Sequence, residues 1–122
     1  MNRFKDLRVW QESSDLVIQI YSLTKNFPID EKFGMISQIN RAVVSISSNI
    51  AEGAGRGSNK EFLQFLNIAI GSSFELESQL LISQKLNFLS ANGLENDVSN
   101  INRIQNMLFK LQKSIKEKVI VT

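Results

Sequence analysis

Gln38, Arg41, Ser45, Asn49 and Glu52 recur at steps of three, four, four and three residues. On an α-helix those steps place all five on one face. The set joins a cation, a carboxylate, two amides and a hydroxyl. Such a stripe can face solvent, form an internal hydrogen-bonded network, or present a binding surface. Catalysis on it would rest on Glu52, the one carboxylate present, held where its proton affinity is perturbed. Arg41 and Glu52 stand three turns apart, too far to pair within one helix. If buried, each needs a partner from another helix or another subunit.

The run GAGRGSNK follows at once, from Gly53 to Lys60. Its G-x-G-x-G spacing is not the G-x-G-x-x-G of dinucleotide sites, and a helix rather than a strand precedes it. It also lacks the Gly-Lys-Ser/Thr ending of a phosphate-binding loop. The plainer expectation is a helix-breaking turn, with Gly53 in the left-handed position that closes a helix. Arg56 and Lys60 flank the start of the next helix, whose first amides carry partial positive charge. Together they could hold one phosphate of an RNA or DNA backbone.

Composition narrows the chemistry further. The 122 residues include no histidine and no cysteine. A general base titrating near neutrality, a thiol nucleophile and the commonest metal ligands are therefore absent. Carboxylates alone could hold a hard cation, but no run has the loop spacing of such a site. No metal and no cofactor is expected. The net charge of +2 is small, yet from Arg103 onward five bases face one acid. Part of that tail matches the helix dipole, and the remainder could serve a polyanion. Trp10, Tyr21 and the phenylalanines fall mostly at core spacing, so no aromatic platform for single strands is expected. No stretch is long and apolar enough to span a bilayer, and the opening residues lack a signal-peptide pattern. A cytoplasmic protein without a membrane partner is the expectation.

Four amphipathic patterns must position these residues, in one domain covering residues 1–122. The first runs to about Lys25, with Trp10, Val17, Ile20, Tyr21 and Thr24 on one face, and ends before Pro28. Asp30 sits where an N-cap belongs, and Phe33, Ile36, Ile39, Val43, Ile46 and Ile50 continue a second helix to about Glu52. Ser58 and Glu61 form an S-x-x-E capping box that opens the third helix, which runs to about Leu86. One apolar stripe of that helix holds Phe62, Leu66, Ala69, Ser73, Leu76 and Leu80. A second holds Leu63, Ile70, Phe74 and Leu81, wider than a monomeric bundle needs, so self-association and a broad core both explain it. After a turn at Asn87–Gly93, Leu94, Ile101, Ile104, Leu108, Leu111 and Ile115 keep a seven-residue pattern. Short connections make neighbours antiparallel: an all-α, up-down-up-down four-helix bundle.

The segment SQINRAVVSISSNIAEGAGR, Ser37 to Arg56, resembles the signature of the 23S rRNA intervening-sequence protein family. FKDLRVWQESSDLVIQIYSLTKNFP resembles the family's first helix, and IAIGSSFELESQL a segment of its third. The resemblance implies a bacterial bundle that assembles into a ring, most simply a homopentamer, partly described as ribosomal-protein-like, with RNA binding suspected. The family is similar to the accessory variability protein of diversity-generating retroelements, a pentameric ring that works with a reverse transcriptase and nucleic acid. Carried onto this chain, the motif marks Gln38, Arg41, Ser45, Asn49, Glu52, Gly53 and Arg56. Two positions depart from the pattern. Asn40 stands where the family commonly has a further arginine, which removes one candidate phosphate contact. Ser47 stands where it often has proline, which leaves the helix straighter.

Three functions are thereby set against one another. The leading one is a non-enzymatic, oligomeric nucleic-acid-binding module whose ring concentrates Arg41, Arg56 and Lys60. The second is a ring that docks another protein without touching nucleic acid. The third is an enzyme built on Glu52.

Overall fold

The computed structural model describes residues 3–121. Among these residues are four α-helices: α1 (Arg8–Thr24), α2 (Met35–Ala54), α3 (Asn59–Lys85) and α4 (Glu95–Val121). No strand occurs among the described residues. Side-chain partners across the seams run in opposite chain directions. Gln38 meets Gln79 and Ser45 meets Ser72, so α2 and α3 are antiparallel. Glu77 meets Gln105 and Asn67 meets Gln112, so α3 and α4 are antiparallel. Gln19 meets Asn100 and Glu12 meets Arg103, which closes α4 back onto α1. The result is the expected antiparallel four-helix bundle.

Its core is aliphatic. Leu16 and Ile20 of α1, Ile39, Ile46 and Ile50 of α2, Leu66, Leu76 and Leu80 of α3, and Ile101 and Leu108 of α4 are fully buried. Each such side chain contributes about 1.5–3 kcal/mol of burial free energy. Ser13, Ser73 and Ser83 share the core because each hydroxyl donates back to a carbonyl of its own helix. That arrangement leaves no orphan donor at these positions.

The helix ends show where one-dimensional periodicity falls short. Asp30 does not cap α2. It lies in a 3-10 turn at Ile29–Glu31, and α2 starts only at Met35 behind Gly34. The capping acceptor is the Glu31 carboxylate, whose Oε1 takes the Met35 N–H at 3.3 Å. Phe33 therefore lies outside α2 and is 89% exposed rather than in the core. Tyr21 also leaves its expected face and is 42% exposed. Gly53 is not left-handed: no glycine has positive φ, and α2 continues through it to Ala54. The one described residue with positive φ is Asn87, at 63°. It closes α3 in a Schellman arrangement, with Phe88 N–H bonded to Ser83 O and Asn87 N–H to Gln84 O. Ser58 caps α3 as expected, its Oγ accepting the Glu61 N–H at 3.2 Å.

Candidate nucleic-acid interface

The polar stripe of α2 divides into an inner and an outer part. Ser45 Oγ and Ser72 Oγ lie 2.8 Å apart across the α2–α3 seam. Asn49 Nδ2 donates to Ser45 O at 2.8 Å and to Ser45 Oγ at 3.0 Å. Gln79 Nε2 reaches Gln38 Oε1 at 3.4 Å. Ser45 and Asn49 thus form an internal network, whereas Arg41 and Glu52 are exposed. Beside that network a cleft of about 540 Å3 opens between α2 and α3, lined by Gln38, Arg41, Ala42, Ser45, Glu75 and Gln79.

Asn40, the position that departs from the family pattern, faces the other way. Its Oδ1 accepts the Thr24 hydroxyl at 3.1 Å and ties α2 to α1. At this position a structural tie stands where a second arginine would offer a cation.

Beyond the stripe, Glu52 Oε1 accepts from Arg56 Nη2 at 2.9 Å, one helical turn along. The Arg56 guanidinium also lies 4.9 Å from the centre of the Phe65 ring. Arg56 is held in place, but its charge is partly offset. Gly53 lets this end close up: a Cβ there would meet Phe65 and Phe62 of α3. Around the start of α3 a hollow of about 470 Å3 is lined by Arg56, Ser58, Asn59, Phe62 and Lys118. Lys60 is exposed in the first turn of α3. The structure thereby brings Arg56 and Lys60 to one end of the bundle and leaves Arg41 about 20 Å away along α2.

A second basic locus was not expected from the spacing of residues. Glu12 of α1 pairs with Arg8 at 2.9 Å and with Arg103 of α4 at 3.0 Å. With Lys110, Asn102 and Asn106 these residues line a groove of about 520 Å3 between α1 and α4. Three cations and one carboxylate line it, with Arg8 and Arg103 paired to that carboxylate. The basic tail after Arg103 was the only sequence signal for it.

The second stripe of α3 splits as well. Leu63 and Ile70 are half-buried against the core, while Phe74 and Leu81 are 49% and 42% exposed. Phe109 of α4, absent from the expected set, joins them with its ring 6.4 Å from that of Phe74. Among the described residues no group of carboxylates gathers to hold a metal ion, and no helix is long and apolar enough to cross a membrane.

Polar networks on the seams and cations on the surface of an otherwise aliphatic bundle define a helical-bundle protein with its distinguishing residues on α2 and the turn after it. The profile of the 23S rRNA-intervening sequence protein family matches residues 5–110, and the chain belongs to that family. It is also similar to a solved protein of unknown function from the S23 ribosomal protein family of Bacteroides thetaiotaomicron. That likeness has a TM-score of 0.79 and 28% identity, over 86% of this chain and 98% of the other. Curated protein sequences yield no significant match.

Proposed function

We propose that this protein is a non-enzymatic, self-associating bundle that binds structured RNA, of the 23S rRNA kind its family name points to, through its basic end. The observation that carries this reading is the hollow at the start of α3, where Arg56 and Lys118 meet the first turn of a 27-residue helix and Lys60 stands nearby. The positive end of the helix and the cations beside it together suit a phosphate, and the phosphates of a DNA backbone would be met in the same way. Assembly into a ring, five copies in the reading the family resemblance suggests, multiplies this modest field. Glu52 supports the non-enzymatic reading, because it is exposed and committed to Arg56.

The test is fluorescence anisotropy of the assembled protein with a structured RNA across a salt series. Binding should weaken steeply with salt. Arg56→Ala with Lys60→Ala should lower both affinity and slope, the slope by about 1 for each phosphate no longer neutralised. Absence of salt-dependent binding at low ionic strength sinks the reading.

The exposed Phe74, Leu81 and Phe109 favour a second reading, a scaffold whose apolar face docks another protein, of which a reverse transcriptase is one candidate. Affinity capture that recovers nucleic acid and no protein would count against it.

A further inference from the structure

Phe33 and Tyr21 project from the α1–α2 side of the bundle instead of entering its core. They line a hollow of about 640 Å3 together with Val44, Lys32 and Arg41, and no acidic residue lines it. Lys32 Nζ lies 5.6 Å from the centre of the Phe33 ring. Arg41 forms no ion pair or side-chain hydrogen bond with another described residue. It lines the α2–α3 cleft as well, so its guanidinium marks the boundary between an aromatic hollow and a polar cleft. In that cleft Gln79 keeps its Oε1 buried without a hydrogen-bond partner among the described residues.

This combination fits one kind of occupant. Exposed rings offer flat apolar faces on which bases stack whatever their identity, and cations between them suit the phosphates that link one base to the next. An apolar helix of another protein would fill the hollow but leave Lys32 and Arg41 without counter-charge. Glu75 on the far wall of the cleft repels phosphate there, and the exposed amide of Gln38 offers its Nε2 donor to a base edge.

We propose that the α1–α2 hollow binds a single-stranded RNA segment: one base stacks on Phe33 and Tyr21, Lys32 and Arg41 hold the flanking phosphates, and the next base enters the α2–α3 cleft. The inference rests on the RNA-binding reading above, but it places single strands at a site about 20 Å from the basic end.

The test uses the full chain with a short fluorescent oligouridylate and, separately, an RNA hairpin duplex. Phe33→Ala should weaken the single strand about tenfold without changing the salt slope, since stacking carries no counterion. Arg41→Ala should weaken it and lower the slope by about 0.7, the value for one phosphate of a single strand. Both variants should keep duplex affinity and melting temperature. Unchanged single-strand affinity in both variants overturns the proposal. So does a Phe33→Ala variant that loses only self-association in sedimentation, for the hollow would then seat a second copy. Duplex binding that needs Arg56 and Lys60, with single strands indifferent to Phe33, overturns this site alone. Single-strand binding that needs Phe33, with Arg56 and Lys60 silent, overturns the basic-end reading alone. Failure of both RNAs to bind overturns both.

Discussion

A Cβ placed on Gly53 would stand 2.7 Å from the Cβ of Phe65, and 2.9 Å from a ring carbon of Phe62. The first of those atoms is fixed to the α3 backbone and cannot swing aside. Glycine at this position is a condition of helix contact and not of a turn. The consequence is an inverted response to alanine. Gly→Ala inside a helix ordinarily stabilises by about 1 kcal/mol, while overpacking costs about 1–3 kcal/mol. Gly53→Ala should therefore destabilise by roughly 1 kcal/mol, read from urea unfolding. Gly71→Ala is the control: it is helical, exposed, and has nothing within 4 Å of the new atom, so it should stabilise. Both variants moving the same way would refute the contact argument.

Glu52 restrains Arg56. Replacing the carboxylate by the amide in Glu52→Gln leaves the shape and removes the charge that offsets the guanidinium. RNA affinity should rise and its salt slope steepen by up to about 1, because one more cation is free to displace a counterion. Stability should shift by less than about 1 kcal/mol, as for an exposed pair. Affinity that falls or stays level in Glu52→Gln would remove Arg56 from the RNA-contacting set.

If copies of the chain associate as proposed, the exposed pair Phe74 and Phe109 is the contact to test. Phe74→Asp puts a charge into a patch that already lies outside the core, so the helical circular dichroism should persist. Sedimentation velocity should then show a smaller species than the parent protein at equal concentration. An unaltered sedimentation coefficient would place the contact between copies elsewhere, or show that this face docks a different partner.

Burial raises the Asp97 carboxyl above its ordinary range. The folded chain then holds this proton at higher pH than the unfolded chain does. The associated stability is present below the unfolded value of about 3.9 and is lost as pH rises through the raised folded value. Asp97→Asn has no such loss. Its urea midpoint relative to the parent should be more favourable at pH 6 than at pH 4, and an offset equal at both pH values would contradict the burial effect.

Periodicity made most of the bundle legible, because aliphatic residues at three- and four-residue steps leave no other way to bury them. Ile39, Val43, Ile46 and Ile50 are core residues for that reason. The same rule carried back past Gly34 misplaced Phe33, since a repeat does not report where hydrogen bonding begins. A glycine-rich run suggested a left-handed close at Gly53, but the reason for that residue lies in Phe65, distant in sequence. The left-handed position fell instead to Asn87. The polar stripe of α2 was visible, yet only the partners Ser72 and Gln79 divide it into a network and an outer rim. The Arg8, Glu12 and Arg103 cluster joins two helices at opposite ends of the chain, and no local pattern announces it.

The two glutamine hydrogen bonds of the α3–α4 seam have a consequence for how this gene can change length. Gln105 donates to Glu77 and Gln112 to Asn67, with both glutamines buried. Sliding α4 by one helical turn, about 5.4 Å, would part both pairs together and strand their polar atoms. Insertions or deletions in the turn before α4 are therefore tolerated only when the altered loop returns the helix to the same register. Lengthening here proceeds by loops that bulge outward, never by gradual drift of the helix itself.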